Sequence, residues 1–321
     1  MRPATTRRTF LQAAATAALG ASLPAINSLE AASAETAAPL IIDTHTHFYD
    51  PSRAQGVPWP GKQDKVLYQT ILPKDYRAQP VPQPVAGTVV VEASAWVEDN
   101  QWILDLAAKD PFLVGLVGNL PVGTPEFAAL LKRFAANPIF RGIRIGHGAL
   151  KTGLTQPAYL ADLRRLADHD LELDINGGPA LLLDAAKVAG EIPALRLVIN
   201  HVANVKIDGQ TPPVEWRAGL RAAAAHPRVF CKVSALVEGT SRSDGTAPRA
   251  VDFYRPVLDA VWQAFGEDRV IYGSNWPVSN RFASLATVQG IVTDYFTAKG
   301  PGALAKFFSG NAAAAYKWVH R

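Results

Sequence analysis

The sequence has one cysteine, Cys231, among 321 residues, so the chain cannot form an intrachain disulfide. It also has little excess charge, with 32 Lys and Arg against 28 Asp and Glu. A nearly neutral chain with scattered basic residues does not favour nucleic-acid binding. Glycine clusters such as Gly177-Gly178 lack the spacing of a phosphate-binding loop, so nothing indicates a nucleotide, flavin or haem site.

The sequence contains no apolar run long enough to insert stably in a membrane. Arg7-Arg8 precede an alanine-rich, weakly apolar stretch that ends near Leu23, and Ala32-Ser33-Ala34 is a small-residue cleavage pattern. We expect residues 1–34 to be a twin-arginine signal peptide and residues 35–321 to be one periplasmic domain. Loss of residues 1–34 removes three arginines and one glutamate and leaves a net charge of +2. An uncleaved membrane anchor is the lesser alternative.

Short apolar runs alternate with segments of helical periodicity after residue 39, which is typical of repeated βα units. For example, Phe127, Leu130, Leu131 and Phe134 recur at helical spacing within 125–136. Eight runs are predicted strands: 40–48, 87–93, 113–120, 142–146, 171–175, 195–203, 229–235 and 269–273. Eight units predict a distorted (β/α)8 TIM barrel of class α/β. The alternative, a doubly wound open sheet, more often has a glycine-rich turn after its first strand.

The first predicted strand ends in Asp43-Thr44-His45-Thr46-His47. Side chains alternate along a strand, so His45 and His47 point to the same side. Two imidazoles in one small volume can hold a divalent ion or relay a proton. Active sites of these barrels lie at the carboxyl ends of the strands, where this pair is placed.

Other polar residues follow later strands at the same predicted end of the barrel. They are Glu92 on strand two, Arg144 and His147 on strand four, Asp174 and Asn176 on strand five, His201 on strand six and Asn275 on strand eight. Such a convergence of a carboxylate, an arginine and histidines predicts an active site. Glu92 follows three valines, and a buried carboxylate there must be paired or functional.

Three long connections also follow strands and should surround that opening: 49–86, 204–216 and 236–250. The first contains Trp59, which we expect to form part of a substrate-binding wall, together with His147 and Arg281. The basic loop residues Lys151, Lys206, Arg242 and Arg281 favour a small, acidic substrate. The oligomeric state is not predictable from the sequence.

Five segments together resemble the amidohydrolase superfamily, in its amidohydrolase-related, lactonase-like branch. They are Ile42-Asp43-Thr44-His45-Thr46-His47-Phe48, Arg141-Gly142-Ile143-Arg144, Asn200-His201, Lys232-Val233-Ser234 and Gly273-Ser274-Asn275-Trp276-Pro277. The resemblance extends from about Leu40 to Trp318. It implies a distorted barrel hydrolase of a branch that opens sugar or aromatic-derived lactones. A neighbouring branch of decarboxylases uses zinc, held by the first-strand pair, histidines of strands five and six and a strand-eight aspartate.

The chain matches that metal pattern only in part. His45, His47 and His201 match by position, whereas strand five has Asp174 and Asn176 and strand eight has Asn275. Asparagine is a weak neutral ligand and cannot act as a base. The cofactor is therefore predicted to be either none or one divalent ion, most readily zinc, on His45, His47 and His201.

The hypothesis is hydrolysis of a lactone or similar cyclic ester by water attack. Glu92 is the leading base, and Asp174 or a histidine is the alternative base. His45, His47 and His201 would polarise the carbonyl or hold an ion that does. Arg144 would bind a substrate carboxylate or stabilise the oxyanion, and Asn275 would donate to the attacked oxygen. Two alternatives stay open: a metal-dependent hydrolase or decarboxylase, and a non-catalytic periplasmic ligand-binding protein on the same barrel.

Overall fold

In a computed structural model, which describes residues 39–321, eight parallel strands form one sheet in sequential order. The strands are β1 Ile42–Thr46, β2 Gly87–Val91, β3 Leu113–Gly118, β4 Phe140–Gly146, β5 Glu172–Asn176, β6 Arg196–Ile199, β7 Val229–Val233 and β8 Val270–Tyr272. The sheet closes irregularly, because β1 meets the segment after β8 through an isolated bridge between Thr46 and Trp276. These observations confirm the predicted distorted (β/α)8 barrel.

Helices follow the strands and cover the outside of the barrel. They are α1 Pro73–Arg77, α2 Asp99–Lys109, α3 Phe127–Ala135, α4 His147–Gly153, α5 Pro157–Asp168, α6 Leu181–Glu191, α7 Val214–Ala224, α8 Val251–Phe265, α9 Leu285–Thr297, α10 Pro301–Ala305 and α11 Asn311–Tyr316. A π-helical turn, Lys306–Gly310, joins α10 to α11. Within residues 39–321, no helix has the length and hydropathy needed to cross a bilayer.

The predicted sixth strand extends too far at its carboxyl end. β6 stops at Ile199, and residues Asn200–Asn204 form a tight turn in which His201, Val202 and Ala203 have φ values of 56°, 47° and 57°. Left-handed backbone is unfavourable for residues other than glycine, and most of all for β-branched valine. Strained backbone of this kind is common at functional sites, and here it carries His201.

The interior of the barrel is partly charged rather than wholly apolar. Glu172, Asp174 and Lys232 are fully buried between the strands. A side chain at Gly142 would overlap the Glu172 carboxylate, since a Cβ there would lie 2.2 Å from Glu172 Oε1. Residues of α11 close the bottom of the barrel, where Tyr316 OH donates to Asp174 Oδ1 over 2.8 Å. The floor of the barrel is therefore a buried polar network beneath the opening.

Candidate active site

The carboxyl ends of the strands surround a cavity of about 400 Å³. Its lining residues are His47, Trp59, Glu92, Ala93, Ala95, Arg144, Asn176, His201, Asn275 and Val278. The structure thus brings together predicted residues of strands one, two, four, five, six and eight with Trp59 from the first long connection. His45 lies directly below, fully buried, with its ring centroid 5.0 Å from that of His47 and 4.3 Å from that of His201.

His45 is held from below by Lys232. The Lys232 ammonium donates to Thr44 O over 2.9 Å and to Asp174 Oδ2 over 2.9 Å, and its third neighbour is His45 Nδ1 at 3.2 Å. Three acceptors match the three hydrogens of an ammonium group, so His45 Nδ1 accepts and its single hydrogen is on Nε2. Burial, and then the charge of Lys232, hold the pKa of His45 well below its usual value. His45 is therefore a neutral hydrogen-bond donor, and its buried Nε2 has no partner in residues 39–321.

His47 has the opposite tautomer. Its Nδ1 lies 3.0 Å from Val91 O, which can only accept, so Nδ1 carries the hydrogen. Burial, followed by the charge of Arg144, lowers the pKa of His47 to about 3. His47 is therefore neutral near pH 7, and its Nε2 has a free lone pair. That lone pair faces Asn275 Oδ1 at 3.3 Å.

The left-handed turn places His201 against Ser234, the residue directly after β7. Its Nδ1 lies 2.7 Å from Ser234 Oγ, which leaves Nε2 toward the cavity that His201 lines. Burial, and then the charge of Lys232, lower the pKa of His201. The site thus contains three neutral imidazoles above one buried lysine.

Glu92 and Arg144 form an ion pair in the cavity wall. Arg144 Nε donates to Glu92 Oε1 over 2.8 Å, and Arg144 Nη2 donates to Glu92 O over 2.8 Å. Burial raises the pKa of Glu92, while the charge of Arg144 opposes that shift. The pair fixes the arginine and leaves Glu92 Oε2 outside both of these contacts.

Sequence reasoning missed Glu238. It begins a short 3₁₀ turn, Glu238–Thr240, in the long connection after β7, and its Oε1 accepts from Asn275 Nδ2 over 2.8 Å. Burial raises the pKa of Glu238 to about 7. Two features of the sequence could have indicated Glu238. It is a carboxylate in the connection 236–250, which was expected to lie at the opening, and strand eight ends in an asparagine that needs a partner.

Asp174 is not among the cavity-lining residues. Its two oxygens accept from Lys232 and Tyr316, so the carboxylate belongs to the buried floor. Its neighbour two residues on, Asn176, lines the cavity instead. In this geometry, the base role that we considered for Asp174 would have to act through Lys232 and His45.

The three predicted substrate-binding residues have different positions. Trp59 lines the cavity, with its ring centroid 5.8 Å from that of His47. His147 begins α4, and its Nε2 lies 2.7 Å from Asp184 Oδ2, away from the lining. Arg281 pairs with Asp64 and so connects the turn after β8 to the long connection after β1. Only Trp59 therefore lies where a bound molecule would contact it.

The donor atoms left for a metal ion are His47 Nε2, His201 Nε2 and Asn275 Oδ1. The tautomer imposed by Lys232 puts a hydrogen on His45 Nε2, so this nitrogen cannot be a ligand. Two imidazoles and a neutral amide are a weak set for zinc, which takes at least three His, Cys or carboxylate ligands. Among the residues from 39 onward, no three His, Cys, Asp or Glu side chains are arranged to hold a metal. The side chains do not fit a tight zinc site.

Two curated relatives resemble most of the chain. L-fucono-1,5-lactonase of Burkholderia ambifaria is 30% identical over 286 residues, which cover 86% of this chain and 95% of that protein. L-fucono-1,5-lactonase of Burkholderia multivorans is 27% identical over 259 residues, covering 79% of this chain and 87% of that protein.

A solved structure and a family model agree with these relatives. An amidohydrolase from Burkholderia multivorans, crystallised with bound zinc, superposes with a TM-score of 0.77 at 26% identity and covers 87% of this chain and all of its own. The amidohydrolase family model matches residues 42–318. The chain therefore belongs to the amidohydrolase family, in the lactonase-like branch that its motifs predicted.

Proposed function

We propose that this protein hydrolyses a lactone of a neutral sugar acid. The observation that carries the proposal is the composition of the cavity, in which an ion-paired arginine and neutral imidazoles surround a space of about 400 Å³. Small-molecule sites of about 300–1,000 Å³ are usual, so a single sugar ring fits. The lactonase relatives support the same chemistry.

The charge pairing favours a neutral substrate over an acidic one. Arg144 is neutralised by Glu92, and Arg281 is neutralised by Asp64. A substrate carboxylate would have to displace one of these partners. The hydroxyl groups of a sugar lactone instead match the neutral donors and acceptors of Asn176, His201 and Asn275, and Trp59 offers an apolar face to the sugar ring.

The proposed reaction begins with attack of water on the lactone carbonyl carbon. A new carbon–oxygen bond forms while one water proton passes to Glu92 Oε2, and the carbonyl electron pair moves to its oxygen. Arg144, whose guanidinium is fixed by its contacts with Glu92, stabilises this oxyanion as a positioned donor. When the intermediate collapses, the ring carbon–oxygen bond breaks and Glu92 returns the proton to the ring oxygen, which gives the open hydroxy acid.

The test is acid release from a panel of lactones by the purified protein. We expect turnover of six-carbon sugar lactones, including L-fucono-1,5-lactone, and slower turnover of dicarboxylate lactones. Positioned acid and base groups contribute about 100-fold to 10,000-fold, so Glu92→Gln should lower kcat at least about 100-fold. Glu126→Gln, an exposed position on the outside of the barrel, is the matched control. No turnover of any lactone, or an unchanged Glu92→Gln variant, would reject the proposal.

The same lactone assay after treatment with a chelator distinguishes this proposal from the metal-dependent alternative. Because the donor set does not fit tight zinc binding, we expect kcat/KM to survive prolonged treatment with a strong chelator. Loss of turnover with recovery on added zinc would instead favour the metal-dependent hydrolase or decarboxylase, for which the zinc-bound structural neighbour is the supporting observation.

We also propose export to the periplasm by the twin-arginine route. The proposed signal, residues 1–34, lies outside the described residues, and the family match begins after it at residue 42. The support is the Arg7-Arg8 pair before a weakly apolar stretch. Replacing both arginines by lysine should leave the protein in the cytoplasmic fraction, whereas unchanged periplasmic recovery would contradict this route.

A further inference from the structure

We propose that Glu238 is a positioning residue that fixes the Asn275 side-chain amide with its oxygen toward His47. The inference rests on the proposed function for its role in catalysis, but the side-chain arrangement itself is independent of the substrate. It assigns a role to a carboxylate that belongs to none of the recognised motifs.

The first argument is the hydrogen-bond count around His47. Val91 O takes the hydrogen of His47 Nδ1, so His47 Nε2 and Asn275 Oδ1, 3.3 Å apart, are two acceptors with no hydrogen between them. Left alone, the amide would rotate by 180° and donate from Nδ2 to the imidazole. A second partner must therefore hold the oxygen in place.

Glu238 is that partner. Its Oε1 accepts from Asn275 Nδ2 over 2.8 Å, and a carboxylate can only accept, so the amide nitrogen must face Glu238 and the oxygen must face His47. Glu238 Oε1 can accept this hydrogen bond whether or not Oε2 carries a proton, and the charged form is the stronger acceptor. The interaction with Glu238 thus outweighs the one that His47 would gain from the rotated amide.

The backbone around Glu238 is held in place. Gly239 N donates to Ala235 O over 3.1 Å, and Ile207 N donates to Gly239 O over 2.9 Å. A Cβ at Gly239 would lie 2.8 Å from Ile207, which shows how closely the two connections pack. Glu238 Oε2 is buried without a partner in residues 39–321, a costly arrangement for a residue with no function.

The consequence is a pair of acceptors at the cavity wall. His47 Nε2 and Asn275 Oδ1 can share one hydrogen of the attacking water, while its other hydrogen is left for Glu92. The water is then oriented with a lone pair free for the lactone carbonyl. Glu238 acts through Asn275 and does not itself contact the substrate.

The direct test is the ¹⁵N resonance of His47 Nε2 in protein labelled at histidine nitrogen. Glu238→Met removes the acceptor while keeping the side-chain length, so the amide should rotate and donate to His47. The Nε2 resonance should then move upfield, because the lone pair becomes a hydrogen-bond acceptor. Glu238→Gln, whose oxygen can still accept from Asn275, should keep the wild-type resonance, and Glu126→Met is the control for the substitution itself.

Kinetics with a lactone substrate give the second readout. Misplaced reacting groups cost on the order of 100-fold, so Glu238→Met should lower kcat about 10-fold to 100-fold with KM changed less than about 2-fold. Glu238→Gln should recover most of kcat. In an Asn275→Ala background, Glu238→Met should have no further effect, because the two residues act as a unit.

An unchanged His47 resonance in folded Glu238→Met would overturn the inference, as would additive losses of kcat in the double variant. If no lactone is hydrolysed, the proposed function fails, and the resonance still decides whether Glu238 orients the amide. If Glu238→Met does not fold, the Asn275→Asp variant replaces it. In that variant, measured above about pH 8, where both side chains are ionised, the carboxylates of residues 238 and 275 repel, so Tm should fall, and adding Glu238→Gln should restore Tm. Failure of that restoration would overturn the inference.

Discussion

The two histidines of β1 are separated by one residue, yet their environments give them opposite chemistry. His45 faces the floor of the barrel, where Lys232 donates to its Nδ1 and so makes Nε2 a donor. His47 faces the rim, where Val91 O takes the Nδ1 hydrogen and so makes Nε2 an acceptor. The sequence places two equal imidazoles on one face of a strand. Their partners on other strands decide which of them donates and which accepts.

The floor and the rim also differ in how completely their polar groups are paired. On the floor, Lys232 has three acceptors and Asp174 has two donors, all fully buried, whereas the neighbouring Glu172 carboxyl group has no partner within residues 39–321. At the rim, His47 and Asn275 present two acceptors to the cavity. Satisfied groups stabilise the fold, whereas groups without partners are available to a substrate. We therefore expect floor substitutions to change stability first and rim substitutions to change turnover first.

Lys232→Met should produce the largest effect on the floor. Removing one partner of a buried ion pair costs about 3–5 kcal/mol, because Asp174 is left as an uncompensated charge. Chemical denaturation measures the free energy of unfolding, and Lys206→Met, whose side chain is 77% exposed, is the control. Adding Asp174→Asn to Lys232→Met should recover part of the loss. Equal stability of wild type and Lys232→Met would mean that the floor is not an energetic network.

Acid should destabilise the protein through the three cavity histidines. Their pKa values are lowered in the folded state, to about 3 for His47, while the unfolded chain titrates near 6.5. Between these values the unfolded state binds more protons, so the free energy of unfolding falls as pH falls below about 6.5. Each histidine contributes up to about 1.4 kcal/mol per pH unit.

The raised pKa of Glu238, about 7, works in the opposite sense. Its folded form holds a proton that the unfolded chain releases between about pH 4.5 and 7, which offsets roughly one histidine. Denaturation curves from pH 8 to 5 isolate one contribution: His47→Gln should flatten the slope by up to about 1.4 kcal/mol per pH unit below the unfolded pKa of about 6.5, and hardly at all above it. His169→Gln, at an exposed position, is the control. An unchanged slope in His47→Gln would show that His47 is charged in the folded state.

Ser234→Ala should have the smallest effect on the free energy of unfolding. It removes the 2.7 Å contact between Ser234 Oγ and His201 Nδ1. A single hydrogen bond contributes about 0.5–1.5 kcal/mol, so the loss of stability should be of that size. If His201 acts only by packing, kcat should stay within about 2-fold of wild type. A larger loss of kcat would show that Ser234 sets the tautomer that His201 uses in the reaction.

The barrel was predictable because its signal is repeated. The same pattern, a short apolar run followed by a segment of helical periodicity, recurs eight times. All eight strands lie near the predicted positions. The exception, the end of β6, shows the limit of such a pattern. The apolar Val202 and Ala203 look like strand residues, yet tertiary packing holds them in a left-handed turn.

For the candidate site, the sequence predicted which strands supply residues, but not which of their side chains reach the cavity. Glu92, Arg144, His201 and Asn275 reached the opening because parallel strands end at the same side of the barrel. Asp174 lies in the floor of the barrel, and His147 pairs with Asp184. The position of a residue along its strand or helix decides whether its side chain reaches the cavity, and the sequence pattern does not give that position. Glu238 follows a strand by several residues, so no periodicity marks it.

The sequence by itself determined the barrel, the family and the group of residues at its open end, because periodicity and motif order are local properties of the chain. Only the tertiary structure decided the ionisation and tautomer of each group. Lys232, Val91 and Ser234 are each more than 30 positions away from the histidine that they orient. Hydrogen-bond direction depends on these distant partners, and their approach is a property of the closed barrel.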